Sequence, residues 1–297
     1  MRSLRFVLAG PGALGLSLSW ALCRMGHRCV GVQGHGASGT ARARVRLKTT
    51  SIVPGREGVA FDLLLIAVPD DAIATVCRAW SRSSHGWHGR FAIHASGALS
   101  SEILEPLRRR GAHCGSFHPL TSLPRASFEP GLFAGVTFGV EGDAAFRTLA
   151  RSLVAGLRGR VLHLSPATKA AYHLAACLSS GYLLAYLTLI SEAFEQKASM
   201  KPGQSMDGFL DLASATLRNA ERAGLQRSLT GPILRADLGT LQLHEKVLRR
   251  MPDVYRTAYR ILAEKLLDLG ERSGRLKGAA ARRVRRHFSR LPMGKIR

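Results

Sequence analysis

Acidic residues are scarce in this chain. Asp and Glu number 20 against 43 Lys and Arg, a formal net charge of +23. From Arg272 onward there are ten basic residues and no acid. That surplus suits anionic partners, and residues 272–297 read as a flexible basic tail that binds polyanions non-specifically. Specific nucleic-acid recognition is not expected, because no zinc-finger spacing, RNA-binding strand motif or helix-turn-helix pattern accompanies the arginines. Cysteine is also sparse: Cys23, Cys29, Cys77, Cys114 and Cys177 are odd in number and form no C-x-x-C. This excludes a disulfide framework and a structural zinc site, so no metal is expected and the thiols read as small core residues of a reduced, cytoplasmic protein. No internal repeat is present, which sets solenoids aside.

Charge is missing altogether from Ala170 to Ser191. The run is long enough to raise the question of a membrane span. His173, Ser179, Ser180 and Gly181 interrupt its apolar character. It is therefore read as a helix buried on nearly all sides, covered in part by a second copy in a homodimer formed through the helical region. The apolar run from Phe6 to Cys23 resembles a signal peptide but lacks a clean small-residue cleavage site, and glycines at 10, 12 and 15 break it. A strand, a turn and a helix in succession account for it better.

What is present alternates. Strands are expected at Arg5–Ala9, His27–Gln33, Phe61–Pro69, 90–97, 112–120 and 135–142, with helices after the first, third and fourth of these. The stretch 34–55 fits a short helix and a weak strand. Alternation of this kind specifies an α/β fold with a mostly parallel, Rossmann-type sheet covered on both faces. After about Leu164 only helical patterns remain. The chain is thus expected to divide into a dinucleotide-binding domain (1–164), an all-helical domain (165–271) and the basic tail (272–297).

Gly10-Pro11-Gly12-Ala13-Leu14-Gly15 matches G-x-G-x-x-G between a strand and a helix. The glycines allow a tight turn, close approach to a pyrophosphate and close helix packing, and the helix N-terminus offers free N–H groups. The Asp or Glu that would bind the ribose hydroxyls of NAD is missing. Gln33, Gly34 and His35 stand there, with Arg42 and Arg44 nearby. Lack of the acid and the presence of cations favour NADP over NAD. Val68 and Pro69, Ser96, and His118 lie at the ends of later strands, where ligands of such sheets bind. His94 precedes Ser96, and Lys169 and His173 share one helix face. The expected cofactor contacts are therefore Gly10, Gly12, Ala13, Leu14, Gly15, Gln33, Val68, Pro69 and Ser96, and the expected catalytic group is Lys169, His173, His94 and His118. Partial burial would lower the pKa of Lys169 and suit it to proton donation. Arg235 and Asp237, in a Gly-Pro turn, read as a structural salt bridge, with an anion contact as the alternative.

The motifs GPGALG, AVPDDAI, HASGALS, SFHPL, KAAYHLAA and LTGPILRAD, in this order, resemble Rossmann-like proteins with a DUF2520 C-terminal domain over residues 4–265. More distantly the chain is similar to ketopantoate reductase, 6-phosphogluconate-type dehydrogenases and deazaflavin-dependent NADP reductases. The resemblance implies an N-terminal NAD(P)-binding domain, a helical C-terminal domain, dimerisation and oxidoreductase activity. Two positions depart from it. Ser180-Gly181-Tyr182 replaces a Ser-Asn-Tyr stretch, and Gly34-His35 replaces a Ser-Arg pair. The function expected is hydride transfer between NADP(H) and a small, anionic carbonyl or imine substrate. The alternative is a catalytically silent dinucleotide sensor or scaffold.

Overall fold

A computed structural model describes residues 2–34, 36–54 and 59–289. The chain forms β1 (Arg5–Ala9), α1 (Ala13–Arg24), β2 (Arg28–Gln33), α2 (Ala37–Leu47), β3 (Leu63–Ile66), α3 (Asp70–Ser81), β4 (Phe91–His94), α4 (Glu105–Arg108), β5 (His113–Pro119), β6 (Thr137–Gly142), α5 (Ala144–Gly156) and β7 (Arg160–His163). It continues with α6 (Lys169–Leu178), α7 (Gly181–Ala198), α8 (Met206–Ala223), α9 (Leu238–Leu248), α10 (Asp253–Arg272) and α11 (Gly278–Ser289). Contacts divide it into two compact units, Met1–Ser180 and Gly181–Arg297.

The first unit is a seven-stranded sheet of order β2-β1-β3-β4-β5-β6-β7, parallel except where β5 meets β6. Strands that are apolar throughout, such as β3 with four buried residues, suit a sheet covered on both faces. One apolar layer gathers Leu16, Leu18 and Leu22 of α1 with Phe146, Ala150 and Leu153 of α5. The other gathers Ile73, Val76 and Trp80 of α3 with Leu104 and Leu107. Beyond β2, Ser51 makes a single parallel bridge to Val32, a vestige of the outer strand that completes the doubly wound order. The expected short helix and weak strand in 34–55 are this α2 and this bridge; His35 and Gly55 lie outside the described residues.

The structure revises three expectations drawn from the sequence. The compact sheet unit extends through α6 to Ser180, because Lys169 and Tyr172 bond to β5. The uncharged stretch is two helices joined at Ser179–Ser180, and only 11% of its apolar window is buried within the chain. The basic segment is folded through Ser289: Ala281, Val284 and Phe288 of α11 are buried against Leu267 of α10, and Arg285 pairs with Asp268 and Glu271. An alternation of buried apolar and exposed Arg at helical spacing explains why a charge-rich run still folds. Arg290–Arg297 lie outside the described residues.

Candidate functional site

The C-terminal edge of the sheet carries two cavities within the first unit. The first, of 390 Å³, lies over β1 and β3 and is lined by Gly10, Gly12, Gln33, Gly34, Val68 and Pro69, among others. Gly10 sits at φ +97°, and a Cβ there would lie 2.5 Å from the Ala67 carbonyl oxygen. Its N–H bonds the Gln33 carbonyl, which fixes the turn to the end of β2. A Cβ on Gly15 would lie 2.2 Å from the Gly10 carbonyl oxygen, so helix α1 packs onto its own entry turn only with glycine there. A Cβ on Gly12 would meet no protein atom within 4 Å; it would project into open space. Gly12 also caps α1 without any side-chain bond, and the first turn holds no acid. The leading N–H groups of Ala13, Leu14 and Gly15 belong to that uncapped first turn, which together with the dipole favours an anion.

No carboxylate lines this cavity among the described residues. The Gln33 amide oxygen accepts a 2.6 Å bond from the Trp80 indole, which holds the side chain in place. Ser38 and Gly39 line the cavity, and Arg42 follows one turn on the same face of α2. Arg44 lies off that face. Arg46 stacks over Phe128. The donor set and the missing acid fit a phosphate-bearing dinucleotide.

The second cavity, of 590 Å³, lies over the end of β5. His118, Thr121, Ser122, Tyr172, His173 and Ser180 are among its lining residues, and no Lys, Arg, Asp or Glu lines it among the described residues. His118 Nδ1 is 2.9 Å from the Tyr172 hydroxyl, and the His118 and His173 rings meet edge to face at 6.2 Å. The space for these rings is made by glycines. A Cβ on Gly97 would lie 2.6 Å from His173 and 3.0 Å from His118 Nε2, and one on Gly139 would lie 2.8 Å from the Tyr172 hydroxyl. Burial and the neighbouring Lys169 and His173 lower the His118 pKa to about 4, so its ring is neutral at pH 7.

Between the two cavities, the turn after β4 is held by Lys169. The residue is 1% exposed, and its ammonium donates to the Ser96 carbonyl at 2.9 Å and to the Ser116 hydroxyl at 2.5 Å. Ser116 in turn donates to the same Ser96 carbonyl at 3.1 Å. Burial lowers the Lys169 pKa to about 8, opposed by the charges of Glu141 and Asp70.

The expected site residues therefore fall into groups. Gly10, Gly12, Gln33, Val68 and Pro69 line the first cavity, and His118 and His173 the second. Ser96 lines neither: its hydroxyl donates to Asp70 at 2.8 Å and accepts from the Ala98 and Leu99 N–H groups. His94 is fully buried, donates from Nε2 to the Ser100 carbonyl and accepts the Ser96 N–H at Nδ1. Burial first, then Lys169, lowers its pKa to about 4. With both nitrogens engaged it shapes the turn and has no lone pair to offer a substrate. Lys169 lies behind the turn, and its two bonded N–H groups point into protein. Tyr172 was not singled out from the sequence, although the KAAYHLAA helix spacing placed it beside His173. Asp237 forms no salt bridge with Arg235; it caps α9 by accepting from the Thr240 N–H and hydroxyl. Gly181 opens α7, and a Cβ there would meet nothing.

A Rossmann-type sheet with an intact phosphate turn and a helical C-terminal region defines the class. Residues 3–119 match the Rossmann-like domain and residues 136–266 match DUF2520, a domain of unknown function. The chain is a Rossmann-like protein carrying a DUF2520 domain, and that match begins inside the sheet, at the approach to β6. No curated protein matches the chain. Among solved structures, a Thermotoga maritima protein aligns with a TM-score of 0.70 at 20% identity, over 90% of this chain and 98% of its own. A Bacteroides fragilis protein described as a candidate NADP oxidoreductase aligns at 0.69 and 20% identity, over 89% and 98%. A reductive aminase from Aspergillus terreus, solved with NADPH and ethyl-5-oxohexanoate, aligns at 0.56 and 16% identity, over 99% and 96%. These likenesses establish the fold.

Proposed function

We propose that the protein is an NADP-dependent oxidoreductase that reduces a small carbonyl or imine compound. The observation that carries this reading is the pairing, along one sheet edge, of an acid-free phosphate cradle with a cavity walled by imidazole and phenol groups. The structural neighbours support it, since one is described by NADP oxidoreduction and another holds NADPH with a small ketone.

In this reading the backbone N–H groups at Ala13, Leu14 and Gly15 bind the pyrophosphate, and Arg42 meets the 2′-phosphate. The bound nicotinamide would supply hydride. Lys169 fixes the Ser96–Gly97 peptide and holds positive charge near the strand ends, which favours negative charge developing on a substrate oxygen. His118 and His173 orient the substrate. The free thiols, with no disulfide among the described residues, fit a cytoplasmic setting. A homodimer through the helical unit and loose polyanion binding by Arg282, Arg283 and Arg286 belong to the same reading.

The test is a fluorescence titration with NADPH and NADH. NADPH should bind at least about tenfold more tightly, and Arg42→Ala should remove the preference while leaving NADH binding unchanged. Absence of binding by either cofactor at millimolar concentration would sink the proposal. The rival reading, a sensor without turnover, rests on the missing amide at Gly181. Tight NADPH binding with no oxidation by any member of a ketone, oxo-acid and imine panel would favour the rival.

A further inference from the structure

We infer that Tyr172 is the proton donor of the second cavity, oriented by His118, and that the compound reduced there is an uncharged ketone or aldehyde. This rests on the oxidoreductase reading above. Four observations converge on Tyr172. Tyr172 lines the cavity, which neither Lys169 nor His94 does. It is held at 2.9 Å by His118 Nδ1. The position is built: Gly139, paired with His118 across β5 and β6, leaves the room that the phenol fills, and Gly97 leaves the room for both imidazoles. Finally, the His118 ring carries a single proton. His118 is neutral because burial, Lys169 and His173 all oppose its protonation. In this arrangement the neutral ring carries its proton on Nδ1 and donates to the phenol oxygen, which orients the hydroxyl and leaves its hydrogen free for a substrate. The groups that set the local charge are Lys169, His118 and His173, with Asp70 and Glu141 acting on Lys169.

The substrate class follows from the lining. A carboxylate or phosphate substrate needs a fixed cation, usually arginine in a bidentate pose. Hydroxyls, imidazoles, a phenol, the Cys177 thiol and aliphatic side chains form this wall, with no charged side chain among the described residues. The sequence-level expectation of an anionic substrate thus finds no partner here.

The step balances simply. The carbonyl carbon gains a hydride, one hydrogen with two electrons, from the reduced nicotinamide cofactor, which is oxidised. The C=O π pair moves onto oxygen as the C–H bond forms. That oxygen takes the proton from Tyr172 as the phenolic O–H breaks, giving an alcohol. The phenolate regains a proton from water before the next turnover.

Two measurements test this, one without the cofactor. In the first, NMR follows binding of a small neutral amide, an unreactive carbonyl isostere, to the full chain. Tyr172 and His118 resonances should shift, and Tyr172→Phe should weaken binding by about tenfold. In the second, NADPH oxidation is followed with neutral ketones and with 2-oxo acids. Tyr172→Phe should lower kcat at least about 100-fold with little change in KM, and should abolish the loss of rate at alkaline pH that reports the phenol. His118→Asn, which keeps a donor, should retain much more of the rate than His118→Leu. Wild-type turnover with an unaltered rate and pH profile in Tyr172→Phe overturns the proton-donor assignment. Turnover of 2-oxo acids but not of neutral ketones overturns the substrate class. If the wild type binds NADPH but turns over nothing, the oxidoreductase reading fails, and the amide titration still decides whether Tyr172 and His118 recognise a carbonyl.

Discussion

Lys169 places an ammonium group where water hardly reaches, and its environment answers only in part. Two good acceptors, the Ser96 carbonyl and the Ser116 hydroxyl, offset some of the desolvation, yet the pKa still falls from 10.5 to about 8. The sign of the consequence is fixed. Below pH 8 both the folded and unfolded chains carry the proton, and the folded chain bears the cost of burying it. Between about pH 8 and 10.5 the unfolded chain keeps the proton and the folded chain has lost it, so stability rises with pH over that window. Lys169→Met should remove this rise. In parallel urea titrations, the stability of the wild type relative to the variant should increase by about 3 kcal/mol from pH 7.5 to pH 11. A difference independent of pH would show that the amine titrates normally. From the sequence, the lysine's place at the mouth of an apolar helix was legible, and so was its lowered pKa. That its ammonium turns inward to a strand-end carbonyl was not, because that geometry depends on β4 and β5, which are distant in the chain. The same limit applies to His94. Strand-end placement was legible, whereas engagement of both its nitrogens by the following turn was not.

At the scale of elements, the parallel strands were the most legible, because residues such as Leu63–Ile66 are apolar without interruption and end at turn-forming residues. The phosphate turn was legible too, since its glycines answer local steric demands that any such turn imposes. The α5–β7 unit was not. Strand β7 is an edge strand with a pattern of exposed residues, and it gives no apolar run to detect. What anchors that unit is a cap. Asp143 accepts the Phe146 N–H at the start of α5 and the Cys114 N–H of β5 through its other oxygen. One side chain therefore starts the helix and ties it to the sheet that carries His118. Asp143→Ala should lower stability by about 1–2 kcal/mol, the usual range for loss of an N-cap, read as a shift in the denaturant midpoint without a change in slope. Asp143→Asn should recover most of it, since an amide oxygen can still cap.

For the whole molecule, the open question is what covers the apolar surface of the helical unit. Leu184 is 61% exposed, and on α8 Leu217 is 58% and Leu210 38% exposed, in one stripe with Ala213 and Ala220. A stripe of this period has the form of a packing face. An 18-residue part of Pro166–Ala198, with a mean hydropathy of 1.6, is also long and apolar enough to cross a bilayer. Two features argue against the bilayer. The first turns of that stretch are engaged with the sheet unit through Lys169 and Tyr172, and extracting them would leave Ser116 and His118 without their partners. Further along it, Glu195 is buried and accepts bonds from Ser191, Gly203 and Ser205, which keep its carboxyl near a pKa of 2 and hence charged. A buried carboxylate clasping the next loop belongs to a folded helical unit rather than to a span. A second copy of the chain is the occupant assigned to it in the proposed reading. Light scattering at micromolar concentration should therefore give twice the chain mass without detergent. Leu210→Glu with Leu217→Glu should give the monomer mass while NADPH affinity stays within about twofold, because the phosphate cradle lies wholly in the sheet unit. A wild-type monomer under those conditions would remove the dimer from the reading and leave the stripe without an assigned partner.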